Sequence, residues 1–392
     1  MEHNDNHNAL DEIKSGKTAD QQIPDGARQF PCHSCGGALL FMPGSSHLQC
    51  PYCGTQNEIP LDAQDDSYLA ENDFLAELEK QNQTQDSASG VSETEAVRCG
   101  NCGATTTITS ERTADLCPYC GCPLTMQNHY TCKLNIQALL PFVVNLDTAK
   151  DCYLKWLGSR WFAPNDFSRR ATREEVLKGI YMPFWTYDSN TRTWYRGERG
   201  DAYYVTEMVT VTRNGKETTE ARQVRRIRWT SVSGTVTVTF DDILIPASQS
   251  LPHHLQNNLQ PWQLQNLKPF RQEFLSGFVT ETYQVPLKEG FEEAKQVMQP
   301  KIMSVIRRDI GGDEQRISST DTKYSKITFK HILLPVWISA YNYNGKTYRF
   351  MVNAQTGNAV GDRPWSVWKI AGAILGVIGA GIVLYLLQGG AM

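Results

Sequence analysis

The pattern of apolar and polar positions is clearest in the middle of the chain. Between residues 203 and 213, and again between 234 and 240, apolar residues tend to occupy every second position. A two-residue period is typical of strands with one buried face. An Asn-Gly pair at 214–215 and another at 344–345 predict hairpin turns. We therefore expect antiparallel sheet to dominate this part of the chain.

A strand, helix, strand pattern occurs twice around this region. The first copy has strands at 142–146 and 179–187 with a helix from about residue 147, and the second has strands at 283–287 and 331–341 with a helix over 288–308 kinked at Pro300. The final strands match at one constant offset: Ile180, Pro183 and Trp185 correspond to Ile332, Pro335 and Trp337. The pattern predicts a duplicated core.

The end of the chain is strongly apolar. Residues 370–387 are 18 residues without a charge, and as a helix they extend about 27 Å, close to the roughly 30 Å of a bilayer's hydrocarbon core. Trp365 and Trp368 precede them, and the positive charges that flank them lie on the N-terminal side. This predicts one transmembrane helix with the rest of the chain in the cytoplasm. A buried core helix is the alternative.

Small residues recur every four positions within this segment, at Gly372, Gly376 and Ala380. Such a row lets two membrane helices approach closely. The pattern therefore allows a homo-oligomer formed through the membrane helix.

Candidate chemistry begins with eight cysteines in four C-x-x-C pairs. The pairs form two units with the same spacing, in which 14 residues separate one pair from the next: Cys32, Cys35, Cys50 and Cys53 in the first unit, and Cys99, Cys102, Cys117 and Cys120 in the second. Two short turns that each present two sulfurs are what a tetrahedral four-thiolate site requires. Pro51 and Pro118 fix the backbone dihedral φ in the second C-x-x-C turn of each unit. Gly54 and Gly121 permit a positive φ after the last ligand. We interpret both units as zinc ribbons.

Disulfides and a rubredoxin-like iron site are the alternatives, and zinc is the default metal. Four thiolates leave no open coordination position, so we expect two structural Zn²⁺ sites, and we identify no catalytic and no cofactor-binding residue. The remaining cysteines, Cys122, Cys132 and Cys152, are interpreted as unliganded thiols.

Charge is distributed unevenly along the chain. Residues 1–96 hold 17 acidic and 4 basic residues within a net charge of −4. An acidic N-terminal part argues against ribbons that bind a phosphate backbone. Residues 61–96, with ten acids and one Lys80, are interpreted as a solvated linker rather than a docking peptide. A short helix over 66–80 is predicted in it, with Tyr68, Leu75 and Leu78 on one face.

One basic and aromatic cluster remains. It consists of Arg222, Arg225, Arg226 and Arg228, with Trp194 and Trp229 nearby. A strand with one exposed face explains this composition. The alternatives are a surface that contacts lipid headgroups and a surface that contacts nucleic acid. The sequence has no phosphate-binding loop that would support ATP-driven chemistry.

Several short motifs together resemble a family of bacterial membrane-anchored proteins with TFIIB-type zinc ribbons, often labelled primosomal-helicase-like. The motifs are Cys117-Pro118-Tyr119-Cys120-Gly121, Trp161-Phe162-Ala163-Pro164-Asn165, Pro183-Phe184-Trp185, Gly197-Glu198-Arg199-Gly200, Leu334-Pro335-Val336-Trp337 and Gly361-Asp362-Arg363-Pro364-Trp365. The resemblance implies a zinc-dependent scaffold that accompanies SPFH-domain and phage-shock-type membrane-maintenance proteins. It brings no catalytic residues, and the helicase label does not transfer because no nucleotide-binding motif is present.

We thus expect an α+β protein with tandem zinc ribbons, a duplicated antiparallel-sheet core and one C-terminal transmembrane helix. The expected parts are a disordered tail (1–28), a first ribbon (29–60), an acidic linker (61–96), a second ribbon (97–127), the core (128–364) and the anchor (365–392). The expected function is a non-enzymatic adaptor that recruits cytosolic proteins to the bacterial inner membrane. A membrane-tethered nucleic-acid-binding regulator is the alternative.

Overall fold

The computed structural model describes residues 30–60, 70–83, 93–99, 102–107, 114–120, 122–125, 129–133, 136–159, 163–164, 177–213, 216–343 and 345–389. Strands hold more of these residues than helices do, and most strand pairs are antiparallel. The expected antiparallel sheets are present, but the expected α+β class is wrong. The fold is mostly β because the segments predicted as short strands are parts of much longer ones.

The N-terminal third contains only short elements. The first ribbon holds β1 (Leu40–Phe41), β2 (His47–Gln49) and β3 (Gln56–Glu58), paired antiparallel in that order. Then come β4 (Asn72–Asp73) and α1 (Phe74–Gln83). In and around the second ribbon lie β5 (Glu93–Arg98), β6 (Thr105–Thr107), β7 (Ala114–Leu116), β8 (Pro123–Thr125) and β9 (His129–Lys133). They form one sheet in the order β6-β5-β9 and a β7-β8 pair.

The rest of the chain is built around three long strands. Its elements are β10 (Ala138–Leu139), α2 (Leu146–Gly158), β11 (Lys178–Arg213), β12 (Lys216–Pro246), α3 (His253–Asn258), β13 (Lys268–Pro269), β14 (Val279–Thr280), α4 (Leu287–Ile310), β15 (Glu314–Tyr343), β16 (Lys346–Asn353), β17 (Ala359–Gly361) and α5 (Val367–Gly389). Strands β11, β12 and β15 have 36, 31 and 30 residues, whereas a usual strand has about 5–6.

These long strands pair side by side in the order β12-β11-β15 and divide into two parts. The register of both pairs shifts near Asp188, and the two neighbouring strands have positive-φ residues at this level, Asp242 and Lys326. Such bulges bend a sheet. We call the part beyond the bulges, residues 189–240 with 314–325, the arm.

The two ribbons pack on opposite faces of the sheet below the bulges. Side chains of successive strand residues point to opposite faces. Tyr181 belongs to the cluster that contains Cys32 of the first ribbon, whereas its neighbours Ile180 and Met182 belong to the cluster that contains Cys99 of the second. The sheet is therefore covered by one ribbon on each side.

In this sheet, the short strand of each repeated segment pairs with the long strand of the other segment. Strand β10 of the first copy pairs parallel with β15 at Ile332, and β14 of the second copy pairs parallel with β11 at Ile180. The strand predicted at 142–146 is wrong, because the short strand lies earlier, at 138–139. Helix α2 begins at Leu146, where the side chain of Asn145 accepts a hydrogen bond from the Thr148 N–H at 2.8 Å.

Part of the acidic linker packs against the core. Strand β4 pairs with β15, and Phe74 at the start of α1 is 5% exposed, with its ring centroid 4.9 Å from that of Phe291. Of the residues predicted to share one apolar face of this helix, Leu78 is partly buried against the cluster that contains Phe74, whereas Leu75 is 61% exposed. The predicted Tyr68 contact and the tail over 1–28 lie outside the described residues.

The predicted transmembrane anchor at 365–392 is not supported. A membrane span needs about 20 consecutive apolar residues in one helix, and the described part of the chain contains no helix that is both long and apolar enough. The expected single-pass inner-membrane location, the lipid bilayer as a partner and self-association through a membrane helix depended on that anchor, and they are withdrawn with it.

Candidate metal centres

The structure brings all eight predicted cysteine ligands together in two groups of four. Within each group the four Sγ atoms lie within 4.8 Å of one another. We call the group in the first ribbon centre 1 and the group in the second ribbon centre 2. Each group has the donor set of a tetrahedral thiolate site, so both centres could hold a metal ion.

Distances between sulfur atoms distinguish a metal site from disulfides. In centre 1 the Sγ atoms of Cys32 and Cys53 lie 3.5 Å apart, and in centre 2 those of Cys99 and Cys120 lie 3.6 Å apart. A tetrahedral ion with bonds of about 2.3 Å places its sulfurs about 3.8 Å apart, whereas a disulfide bond is about 2.05 Å long. The spacing fits a metal ion, and no disulfide links these eight cysteines.

Each C-x-x-C turn is held by the same backbone hydrogen bonds. Cys32 donates its N–H to the carbonyl of Gly37 at 2.8 Å and accepts one from Gly36 at 2.9 Å. The same two bonds recur around Cys50 and Cys99. The repetition shows that the turns are formed by the backbone itself.

Glycine supplies the backbone freedom that these turns need. Gly54 has φ +73°, as its position after the last ligand predicts, and Gly121 lies outside the described residues. Gly36 and Gly103, which follow the second cysteine of each first turn, also have positive φ, +74° and +76°. The prediction did not include these two, although they occupy the same position in both units.

Hydrogen bonds inside the centres favour thiolates at some positions. The Thr55 hydroxyl, 3.2 Å from the sulfur of Cys53, lowers the pKa of that thiol to about 6. A hydrogen bond from the Cys117 thiol lowers the pKa of Cys102 to about 5. Since the hydrogen bond with Cys102 raises the pKa of Cys117, a metal ion would displace the Cys117 proton on binding, and affinity would fall at low pH.

The centres differ in their exposure to solvent. In centre 1, Cys32 and Cys50 are buried while Cys35 and Cys53 are exposed. In centre 2 three cysteines are buried and Cys102 is partly buried. A cleft of about 470 Å³, lined in part by Cys102 and Cys120, lies beside centre 2.

Centre 1 is attached to the core through the strand that follows its first turn. The Ser276 hydroxyl donates a hydrogen bond to the backbone carbonyl of Leu39 at 2.6 Å. The backbone carbonyl of Ser276 accepts one from the N–H of Phe41 at 3.2 Å. The ring of Phe41 packs edge-on against Phe274, with centroids 5.2 Å apart. This face of the ribbon is therefore covered, and Cys32 and Cys50 are buried in the same hydrophobic cluster.

Centre 2 is attached through a buried carboxylate that the sequence analysis missed. Tyr119, between two of the ligands, donates its hydroxyl to Glu281 Oε2 at 2.7 Å, and both residues are fully buried. Ser248 donates to the other carboxylate oxygen at 2.7 Å, and Ser250 donates to it as well. Burial raises the pKa of Glu281 to about 7, while these hydrogen bonds oppose the shift.

Tyr52 occupies in the first ribbon the position that Tyr119 occupies in the second. Tyr52 is 70% exposed, and its ring lies over Gly37, where an added Cβ would meet it at 2.6 Å. Identical Cys-Pro-Tyr-Cys-Gly motifs thus have opposite environments. The sequence could not distinguish them, because the difference comes from what packs beside each ribbon.

The predicted arginine cluster lies on the arm, where three of its arginines form ion pairs or a cation–π contact. Arg225 pairs with Glu314 at 2.9 Å, Arg226 pairs with Glu207, and Arg228 lies over the Tyr203 ring at 5.8 Å. These contacts agree with the half-exposed strand expected from the alternation, and they reduce the positive charge available to a polyanion.

The other residues considered have ordinary surroundings. Cys122 and Cys152 are partly buried free thiols, and the side chain of Cys132 lies outside the described residues. A group of carboxylates, Glu71, Asp188 and Asp241, lies at the bulges, where Lys330 pairs with Glu71 at 3.3 Å. Burial raises the pKa of Asp188 to about 7. Nothing in this acidic group points to a ligand.

Comparisons with known proteins add one relative. The chain is 26% identical over 242 residues to a Bacillus subtilis (strain 168) protein with the name "Uncharacterized protein YdjG", and the matched region covers 62% of this chain and 67% of that protein. No model of a protein family matches the chain. No solved structure matches it.

Proposed function

We propose that this protein is a non-enzymatic adaptor that binds partner proteins through its first ribbon. In this proposal the second ribbon and the sheet form the rigid support. The observation that carries the proposal is the contrast between Tyr52, 70% exposed, and Tyr119, which is fully buried against Glu281. An exposed tyrosine beside an exposed metal centre is the type of residue that anchors protein interfaces.

We further propose that both centres hold structural Zn²⁺. Four cysteine ligands leave no position for substrate or water, so the metal would contribute folding free energy rather than chemistry, about 10–16 kcal/mol per site in comparable small modules. Metal analysis of the purified chain tests this assignment. Two zinc ions per chain are expected, and visible absorption from ferric thiolate would overturn it.

Protein is a better partner than nucleic acid for this ribbon. Among residues 29–60 the only Asp, Glu, Lys or Arg is Glu58, so the surface lacks the clustered positive charge that phosphate contacts require. The resemblance described above points to SPFH-domain and phage-shock-type proteins as the first partners to test.

The test compares two exposed tyrosines. Tyr52→Ala removes the proposed anchor, and Tyr204→Ala, at a residue that is 64% exposed on the arm, is the matched control. A partner recovered by cross-linking is purified and titrated against each metal-loaded variant by calorimetry. We expect Tyr52→Ala to weaken binding about 30-fold, as for a central interface residue, and Tyr204→Ala to leave it unchanged.

Loss of the ribbon itself provides a second comparison. The double variant Cys35→Ser, Cys53→Ser should lose the metal ion of centre 1, and with it the binding of the partner. Partner binding that is unaffected by Tyr52→Ala and by this double variant would contradict the adaptor proposal.

A further inference from the structure

The two outer edges of the arm sheet are protected to very different degrees. Among the described residues, β12 pairs only with β11, so its other edge is unpaired along its whole length. On the opposite side, residues 314–327 of β15 also lack a second partner strand. An unpaired edge is a template for another strand.

The two edges differ in the number of charged residues that they carry. Five charged residues occur between 314 and 327, and Lys326 there also adopts a positive φ at a bulge. Between residues 229 and 240 of β12 there is none. Charges and bulges are the usual protection of an edge strand against pairing. The β15 edge therefore carries charges that residues 229–240 of β12 lack, while both strands have a positive-φ bulge at the base of the arm, at Lys326 and at Asp242.

The faces of β12 do not account for its composition. Val236 and Phe240 are buried in the cluster that contains the core-facing residues of α4, so the inner face is already covered. Ser233, Thr235 and Thr237 on the outer face are exposed, as expected for a solvated surface. The two faces do not explain why the edge of β12 over residues 229–240 is uncharged and rich in β-branched residues. Such an edge is prone to self-association unless another strand pairs with it.

This edge is complementary to itself. If two copies pair antiparallel around a two-fold axis at Thr235, the exposed hydroxyl residues of the outer face oppose one another and Val232 opposes Val238, which are favourable cross-strand pairs, while Val236 opposes Gly234. The facing pairs are Ser233 with Thr237, Ser231 with Thr239, and Val232 with Val238.

We propose that β12 pairs with β12 of a second copy of this chain, antiparallel and centred on Thr235, to give a continuous six-stranded arm sheet across the two-fold axis. The symmetry is isologous, so each copy contributes the same edge and the assembly closes as a dimer. Backbone hydrogen bonds supply the contact, and the serine, threonine and valine rows set the register.

A cysteine placed on the axis tests both the contact and its register. In the dimer the Cα atoms of residue 235 in the two copies lie about 4.5–5.5 Å apart, within the range that a disulfide spans. Zinc-loaded Thr235→Cys, treated with mild oxidant, should give a dimer that reductant reverses. Residue 237 lies about 14 Å from its symmetry mate, given a rise of about 3.4 Å per residue. Thr237→Cys alone should therefore not cross-link, whereas a mixture with Ser233→Cys should.

The mass in solution provides a second test that needs no oxidation. We expect the wild-type chain to sediment at twice its mass of 44.2 kDa, and Thr235→Lys to weaken the dimer at least tenfold by placing like charges together. Ser319→Lys, on the charged β15 edge, is the control and should leave the mass unchanged. A wild-type chain that stays monomeric, with no cross-link at residue 235, would overturn the proposal.

Discussion

Tyr52 and Tyr119 show how far one residue type can diverge inside a repeated motif. Both follow a proline between two cysteines of a four-cysteine group. In the second ribbon the hydroxyl donates to a carboxylate that the protein has buried completely, and the Arg349 side chain donates to the backbone carbonyl of Tyr119 at 2.8 Å. In the first ribbon the ring lies on the surface over Gly37.

The matched substitutions Tyr119→Phe and Tyr52→Phe should therefore differ in their effect on stability. Tyr119→Phe leaves Glu281 Oε2 without the hydroxyl donor, so we expect a loss of about 1–3 kcal/mol in the free energy of unfolding. Tyr52→Phe changes an exposed side chain, and we expect a change within about 0.5 kcal/mol. Urea unfolding of the two metal-loaded proteins checks the difference. Equal effects would mean that the Tyr119 bond contributes nothing specific.

Glu281 should make stability depend on pH. Burial raises its pKa to about 7, above the ordinary value of 4.5, so the folded state keeps a proton that the unfolded state releases. The resulting stability is present below the ordinary pKa and is lost as pH rises through about 7. Glu281→Gln removes this titration, so between pH 6 and pH 8 the variant should gain about 1 kcal/mol relative to wild type.

Unfolding in urea at the two pH values, with metal bound, measures this shift. Glu273→Gln, at a residue in the short 3-10 helix Gln272–Leu275, is the control and should show no such gain. A parallel decline of wild type and Glu281→Gln would show that this carboxyl does not titrate in the range.

At the scale of elements, β4 and α1, which lie between the ribbons, pack against the core. Helix α1 begins with a buried phenylalanine that contacts α4, while the next residue faces solvent. Hydrophobic periodicity assigned Leu75 and Leu78 to one apolar face, but only Leu78 packs against the core, and the buried Phe74 was not assigned to that face. Strand β4, only two residues long, pairs with β15 and sets the entry point of the helix.

Neighbouring alanine substitutions in α1 test this docking. Phe74→Ala removes a ring that is 5% exposed, and we expect a loss of about 3–5 kcal/mol. Leu75→Ala, at a residue 61% exposed, should cost less than about 0.5 kcal/mol. Thermal unfolding of both variants measures the contrast. A small effect at Phe74 would mean that the helix is a peripheral segment after all.

For the whole molecule, the two ribbons cover opposite faces of one sheet with unequal exposure of their cysteines. Centre 1 shares a hydrophobic cluster with Tyr181, and centre 2 shares one with Ile180 and Met182. Loss of either metal should therefore expose one face of the sheet. Centre 1, with two exposed ligands, offers a competing chelator easier access.

Chelation should accordingly release the metal in two phases. We expect a fast phase from centre 1 and a slower one from centre 2, the slower accompanied by loss of near-ultraviolet circular dichroism from the core. A chromophoric chelator followed by stopped flow measures both. Cys35→Ser should abolish the fast phase, and Cys152→Ser, at a partly buried free thiol, should leave both intact. A fast phase that survives Cys35→Ser would reverse the assignment.

Local spacing was sufficient to predict which eight cysteines come together in two groups of four. Eight cysteines in two equal units could be assigned from the sequence because a metal-binding turn is formed by a few consecutive residues. The helices α2 and α4 were also predicted near their observed starts, since Asn145 can cap the first and Pro286 precedes the second. The short strand before α2 was misplaced, because two residues carry too little periodicity to identify a strand.

What the sequence determined by itself was therefore local: the two four-cysteine units, the turns, and the predominance of antiparallel strands. Only the tertiary structure decided which ribbon is buried, that Glu281 holds the second one, that the linker helix docks through Phe74, and that both outer edges of the arm are unpaired among the described residues. The physical reason is that burial depends on partners distant in sequence. Tyr119 and Glu281 are 162 residues apart, and no local pattern at either position indicates the other.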